Sequence, residues 1–119
     1  MAQQYNIELD QGSASNFAIT LKDQAGKLDL TGFTAAMQIR STPFSSEAVD
    51  TLTTDNGRLQ IDVEQSKILV SFPCFVTETY PAQKMVYDIE IESEGGEITR
   101  ILEGSIKVCR EVTRVRCER

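Results

Sequence analysis

Three acids stand at alternate positions in the stretch VYDIEIE: Asp88, Glu90 and Glu92. Carboxylates spaced this way on a strand fall on one face, where they could act as a general acid and base or gather a cation. Acid–base work needs a buried or apolar cleft that drives their pKa values apart. A calcium site needs six or more oxygen ligands, usually gathered from a loop. The spacing provides neither, because the intervening Tyr87, Ile89 and Ile91 claim the core side and send the acids to solvent.

Other chemistry meets similar obstacles. The chain has no histidine, so the most versatile acid or base near neutral pH is missing, and so is the usual activator of a serine nucleophile. No Gly-x-Ser-x-Gly elbow occurs, and EGGE (94–97) is too short for a phosphate cradle and opens no helix. Asp50, Asp55 and Asn56 lie near Gly57 but lack the spacing of a calcium loop and its closing glutamate. Cys74, Cys109 and Cys117 are three, with no CxxC pair; they read as reduced structural thiols. The expectation is a protein that is not an enzyme and takes no cofactor, no metal and no small-molecule substrate.

Bulk properties narrow the class further. A chain of 119 residues is the size of one domain with a single core. A net charge of −6 argues against nucleic acid as the main partner. No apolar run approaches a membrane span or the core of a signal peptide, which points to synthesis in a cytoplasm and no membrane partner. The positive charge is uneven: Arg110, Arg114, Arg116 and Arg119 crowd the end of the chain. A basic tail on an acidic body suits docking on an acidic neighbour, so these four arginines are the candidate partner contacts.

The elements that must position these groups are strands. Tyr5, Ile7 and Leu9 alternate, as do Phe17, Ile19 and Leu21, then Phe33, Ala35, Met37 and Ile39. STPFSSEAVD (41–50) is small and polar, a loop before a short strand around AVDTLT. Asn56-Gly57 supplies a tight turn with positive backbone angles ahead of Leu59, Ile61 and Val63; Ile68, Val70 and Phe72 follow, stopped by Pro73. CFVTETYPAQK (74–84) breaks the alternation and has room for one helical turn. The last pair closes at Gly95-Gly96, with Tyr87, Ile89, Ile91, Leu102, Ile106 and Val108 facing the core. Seven or eight short strands predict an all-β fold: a single antiparallel β-sandwich, Ig-like or jelly-roll-like, over residues 1–109, with a basic C-terminal extension over 110–119.

Two segments carry a resemblance. Asp23, Gly26, Asp29, Leu30, Thr31, Gly32 and Arg40 form the first; Tyr87, Asp88, Glu90, Arg100, Leu102, Gly104, Val108 and the run Glu111-Val112-Thr113-Arg114 form the second. Taken in order, they resemble the small virion structural proteins of tailed bacteriophages. The resemblance implies a β-sandwich module in a tail, baseplate or neck, located in the virion, whose partners are other virion proteins and copies of itself. It implies no catalytic residues. Two alternatives stay open: a capsid decoration (cement) protein, and a carbohydrate- or cell-surface-binding module that would use Tyr5 or Tyr80 as a platform.

Overall fold

The computed structural model describes residues 3–23, 26–27 and 29–110. Eleven strand segments and one helical turn follow in order: β1 Gln3–Gln4, β2 Ile7–Asp10, β3 Ser15–Thr20, β4 Lys22–Asp23, β5 Gly26–Lys27, β6 Thr34–Arg40, β7 Asp50–Thr53, β8 Leu59–Asp62, β9 Lys67–Phe72, α1 Cys74–Thr77, β10 Lys84–Glu92 and β11 Ile98–Cys109. Eight of the strands reach four residues or more. The fold is all-β, and the single helical turn sits where the alternation lapses.

The strands form two main sheets that share one core. The larger runs β1-β11-β10-β6-β7 with β2 also on β11; the smaller runs β3-β9-β8; β4 and β5 make a separate short ribbon. Pairing is antiparallel throughout except where β1 and β2 lie parallel to β11. The N-terminal strands thus pair with the last strand, nearly the whole chain apart in sequence.

Alternation decides which side of each strand is buried. Ala35, Met37 and Ile39 of β6, Met85, Tyr87, Ile89 and Ile91 of β10, and Leu102, Ile106 and Val108 of β11 meet Leu59, Ile68, Val70 and Phe72 of the smaller sheet in one apolar cluster. Removing these side chains from water is the main stabilising term, about 1.5–3 kcal/mol for each large one. The aromatics form a chain across it: Tyr5 to Phe17 at 6.3 Å, Phe17 to Phe72 at 6.0 Å and Phe72 to Tyr80 at 6.5 Å between ring centres.

The segment DLTG (29–32) builds the entry to β6. The Asp29 carboxylate accepts the Thr31 N–H at 3.0 Å and the Thr31 hydroxyl at 2.7 Å, which holds that carboxyl below its usual pKa. Leu30 is fully buried. Gly32 then turns with φ of +80°, a conformation that disfavours any residue with a Cβ. Motif residues here have turn and core duties.

Polar contacts pin the two sheets at one end. The Tyr80 hydroxyl donates to Asp50 Oδ2 at 2.5 Å, and Arg58 reaches the same oxygen at 3.0 Å while its Nε donates to the Ser71 carbonyl at 3.1 Å. Tyr80 is 3% exposed, and burial, with Asp50 second, raises its hydroxyl pKa. Nearby, Thr77 Oγ1 donates to the Ser13 carbonyl and Gln11 Nε2 to the Tyr80 carbonyl. These bonds tie the connection through α1 to the β2–β3 turn.

Candidate interaction surface

The alternating acids lie where the spacing predicts, on the outward side of β10. Ordinary surface pairing accounts for Asp88, which meets Arg100 at 3.7 Å, while Arg100 also meets Glu103 at 3.5 Å. Half-exposed pairs of this kind contribute little to stability. Glu90 and Glu92 are exposed. Among the described residues no group of three or more His, Cys, Asp or Glu is placed to hold a metal ion.

Of the four tail arginines only Arg110 is described; it is exposed, one residue beyond the end of β11. Arg114, Arg116 and Arg119 lie outside the described residues, as does Cys117. Cys74 is disulfide-bonded, so the expectation of reduced thiols fails there, while Cys109 carries a free thiol. Burial and the neighbouring Glu8 carboxylate push the Cys109 thiol pKa up, which favours the unreactive protonated form. Among the described residues no helix is long and apolar enough to cross a membrane.

The most prominent exposed group is Phe44, which sequence reasoning left inside a polar loop. It is 94% exposed, on the connection between β6 and β7. That connection is held by its own hydrogen bonds. Ser45 N–H reaches the Thr42 carbonyl at 3.2 Å, and Thr42 N–H reaches Ser45 Oγ at 3.2 Å. Phe44 N–H donates to Thr42 Oγ1 at 3.3 Å, and Arg40 spans the loop to the Ser45 carbonyl at 3.0 Å. Pro43 fixes its own φ within this turn. A large ring is thus displayed on a fixed loop instead of folding back onto the core. A lone aromatic behind a proline, in a run of small polar residues, was the available signal.

The tyrosines named for a glycan platform fare differently. Tyr80 is buried, whereas Tyr5 is 54% exposed but rests its ring against Phe17. Of the two, only Tyr5 presents a ring to solvent.

Gly104 explains how closely the N-terminal segment runs alongside β11, parallel and in one register from Gln3 opposite Leu102 to Asp10 opposite Cys109. A Cβ on Gly104 would lie 2.1 Å from the Tyr5 carbonyl oxygen. Tyr5 N–H donates to the Glu103 carbonyl at 2.9 Å, and the same Tyr5 carbonyl accepts the Tyr87 hydroxyl at 2.6 Å. Asn6 Oδ1 takes both the N–H and the hydroxyl of Ser105 at 3.1 Å. The chain passes so close here that only a hydrogen fits. No protein-family model matches the chain, and none of the curated proteins does.

Proposed function

We propose that this chain is a non-enzymatic structural protein of a tailed-phage virion, an adaptor that joins neighbouring subunits in the tail, baseplate or neck. The observation that carries the reading is Phe44, exposed on a loop fixed by its own hydrogen bonds. Aromatic anchors dominate the energetics of protein contacts, and a fixed loop loses little entropy on docking. Burying the ring would contribute roughly 1.5–3 kcal/mol per copy, enough when many copies act together.

A second feature fits the same role. The edge strand β3 pairs only with β9 among the described strands, and its six residues, SNFAIT, include no charge and no proline. Such an edge is open to strand addition by a neighbour. The paired sequence motifs agree with this role, and the structure gives them architectural work in the DLTG turn and in the close approach of Tyr5 to Gly104.

Imaging of particles assembled without the chain tests the reading, with loss of a defined density as the expected outcome. Phe44→Ser should lower incorporation about tenfold to a hundredfold without changing the melting of the isolated protein. Intact, infectious particles lacking the chain would refute the role.

A further inference from the structure

The smaller sheet ends on β3, and the way its backbone faces decides what can lie beside it. Leu21 N–H donates to the Ser66 carbonyl at 2.8 Å, which continues the register that pairs Ser15 with Phe72 and Thr20 with Lys67. In an antiparallel pair, residues that bond the partner strand alternate with residues whose N–H and carbonyl point the other way. Ser15, Phe17 and Ile19 therefore bond β9. Asn16, Ala18 and Thr20 turn their backbone groups outward, where none of the described strands pairs with them. Three donors and three acceptors in an extended row suit an extended backbone as their occupant.

The other edges of the two main sheets are guarded. β2 (IELD), β7 (DTLT) and β8 (LQID) have four residues each and carry an acid, and β1 has two residues. Short length and inserted charge are ways in which a protein keeps an edge from pairing. β3 uses neither.

Its row of groups is also complementary to itself. Turned about a two-fold axis normal to the sheet, β3 lies antiparallel to its own copy with Ala18 opposite Ala18. Asn16 then faces Thr20 of the second copy, so all three outward residues of each strand are matched and six N–H to carbonyl bonds form. Within β3, a shift by two residues leaves one of them unmatched, and a shift by one brings the wrong backbone groups together. The side chains agree with the matched register. Phe17 and Ile19 are half-buried against the core, and each meets the other's counterpart at a non-hydrogen-bonded position, where side chains come closest and an aromatic beside a β-branched residue is favourable. Asn16 and Thr20 make an exposed polar pair, and Ala18 leaves the axis uncrowded. The nearest charge along the chain, Lys22, falls beyond the paired residues and opposite Ala14. Because the axis is normal to the sheet, both inner faces stay on one side, and β8-β9-β3 runs on into its copy as a sheet of six strands.

We infer that β3 is the edge by which two copies of this chain associate, antiparallel about Ala18, in one continuous sheet. This names the neighbour for the strand addition proposed above and rests on that reading for its place in a particle, while the contact itself is tested in the purified protein.

The test uses the full chain in analytical ultracentrifugation over a concentration series. The unaltered protein should dimerise. Ala18 N–H makes no bond to β9, so Ala18→Pro removes only a bond to the second copy and should weaken the dimer at least about tenfold. Ala18→Lys and Ala18→Glu each set like charges opposite one another at the axis and should weaken it about threefold to tenfold. Both charged side chains stand at an exposed position, so the melting temperature of the monomer should be retained. An equimolar mixture of these two variants should recover the dimer, because Lys then faces Glu. Variants that dimerise like the parent, or a mixture no stronger than its components, would overturn the inference. A parent that stays monomeric throughout would also overturn it and leave the edge to a strand of another protein. Dimers that obey the exchange in a chain that particles do not need would keep this contact and remove the virion role.

Discussion

Replacing Gly104 with alanine tests the close approach of the N-terminal segment to β11. The new methyl would sit 2.1 Å from the Tyr5 carbonyl oxygen, more than an ångström short of ordinary contact. The obstacle is backbone, so it cannot swing aside as a side chain would. Relief requires Tyr5 to lift, which breaks its N–H bond to the Glu103 carbonyl and the bond its carbonyl accepts from Tyr87. Two such hydrogen bonds contribute about 1 kcal/mol each, and overpacking adds about 1–3 kcal/mol. The expected loss is therefore about 3–5 kcal/mol, a fall in melting temperature of roughly 10–25 °C for a domain of this size. Urea unfolding followed by far-ultraviolet circular dichroism reads this directly, with the midpoint lowered and the slope unchanged. Gly95→Ala is the internal control. Its nearest neighbour is Ser93 Oγ at 3.8 Å, so it should stay within about 0.5 kcal/mol of the parent protein. If Gly104→Ala were as stable as that control, the close approach would be wrong.

Two further predictions concern the buried tyrosines. Tyr80→Phe removes the hydroxyl from Asp50 and should destabilise by about 1.5–3 kcal/mol, as expected for a hydrogen bond to a charged group; a double-mutant cycle with Asp50→Asn should show coupling, and strict additivity would contradict the contact. Tyr87, its hydroxyl pKa raised from 10.0 to about 12 chiefly by burial, is easier to ionise unfolded than folded. Its contribution is fully present below pH 10 and is lost as pH rises toward 12. Stability measured across that interval should fall less steeply in Tyr87→Phe, and parallel profiles would assign the alkaline loss elsewhere.

The faces of the strands were legible because burial imposes a period of two. Met37, Ile39, Ile89 and Ile106 are fully buried, as their alternation predicts. Departures occur where a strand stops. Val63 is 44% exposed because β8 ends at Asp62, and Tyr5 is exposed in the link between β1 and β2. Of the Asn56-Gly57 turn, only Gly57 has positive φ; Asn56 instead uses its side chain, accepting from the N–H groups of Thr53 and Arg58. Ser66 takes a φ of +53° with no compositional warning, because a local preference is overridden by the packing around it. The parallel pairing of β1 and β2 with β11 was not legible either. Periodicity says which side of a strand is wet and nothing about its neighbour.

Phe44 and the facing lysines take their meaning only from the fold, for a related reason. A lone aromatic in a polar loop becomes informative only once the loop is seen to hold itself away from the core, and Lys84 and Lys107 become neighbours only through the register of β10 on β11. What binds the fold together lies elsewhere: the apolar cluster between the sheets, the Tyr80–Asp50–Arg58 contacts and the bonds from Thr77 and Gln11. The outer face of the larger sheet adds its backbone ladder, the weak pairs around Arg100 and the bonds from Arg40 to the Ser45 carbonyl and from Ser105 to Asn6. Lys84 and Lys107 are exposed and enter none of the ion pairs among the described residues, so the sandwich does not depend on their charge.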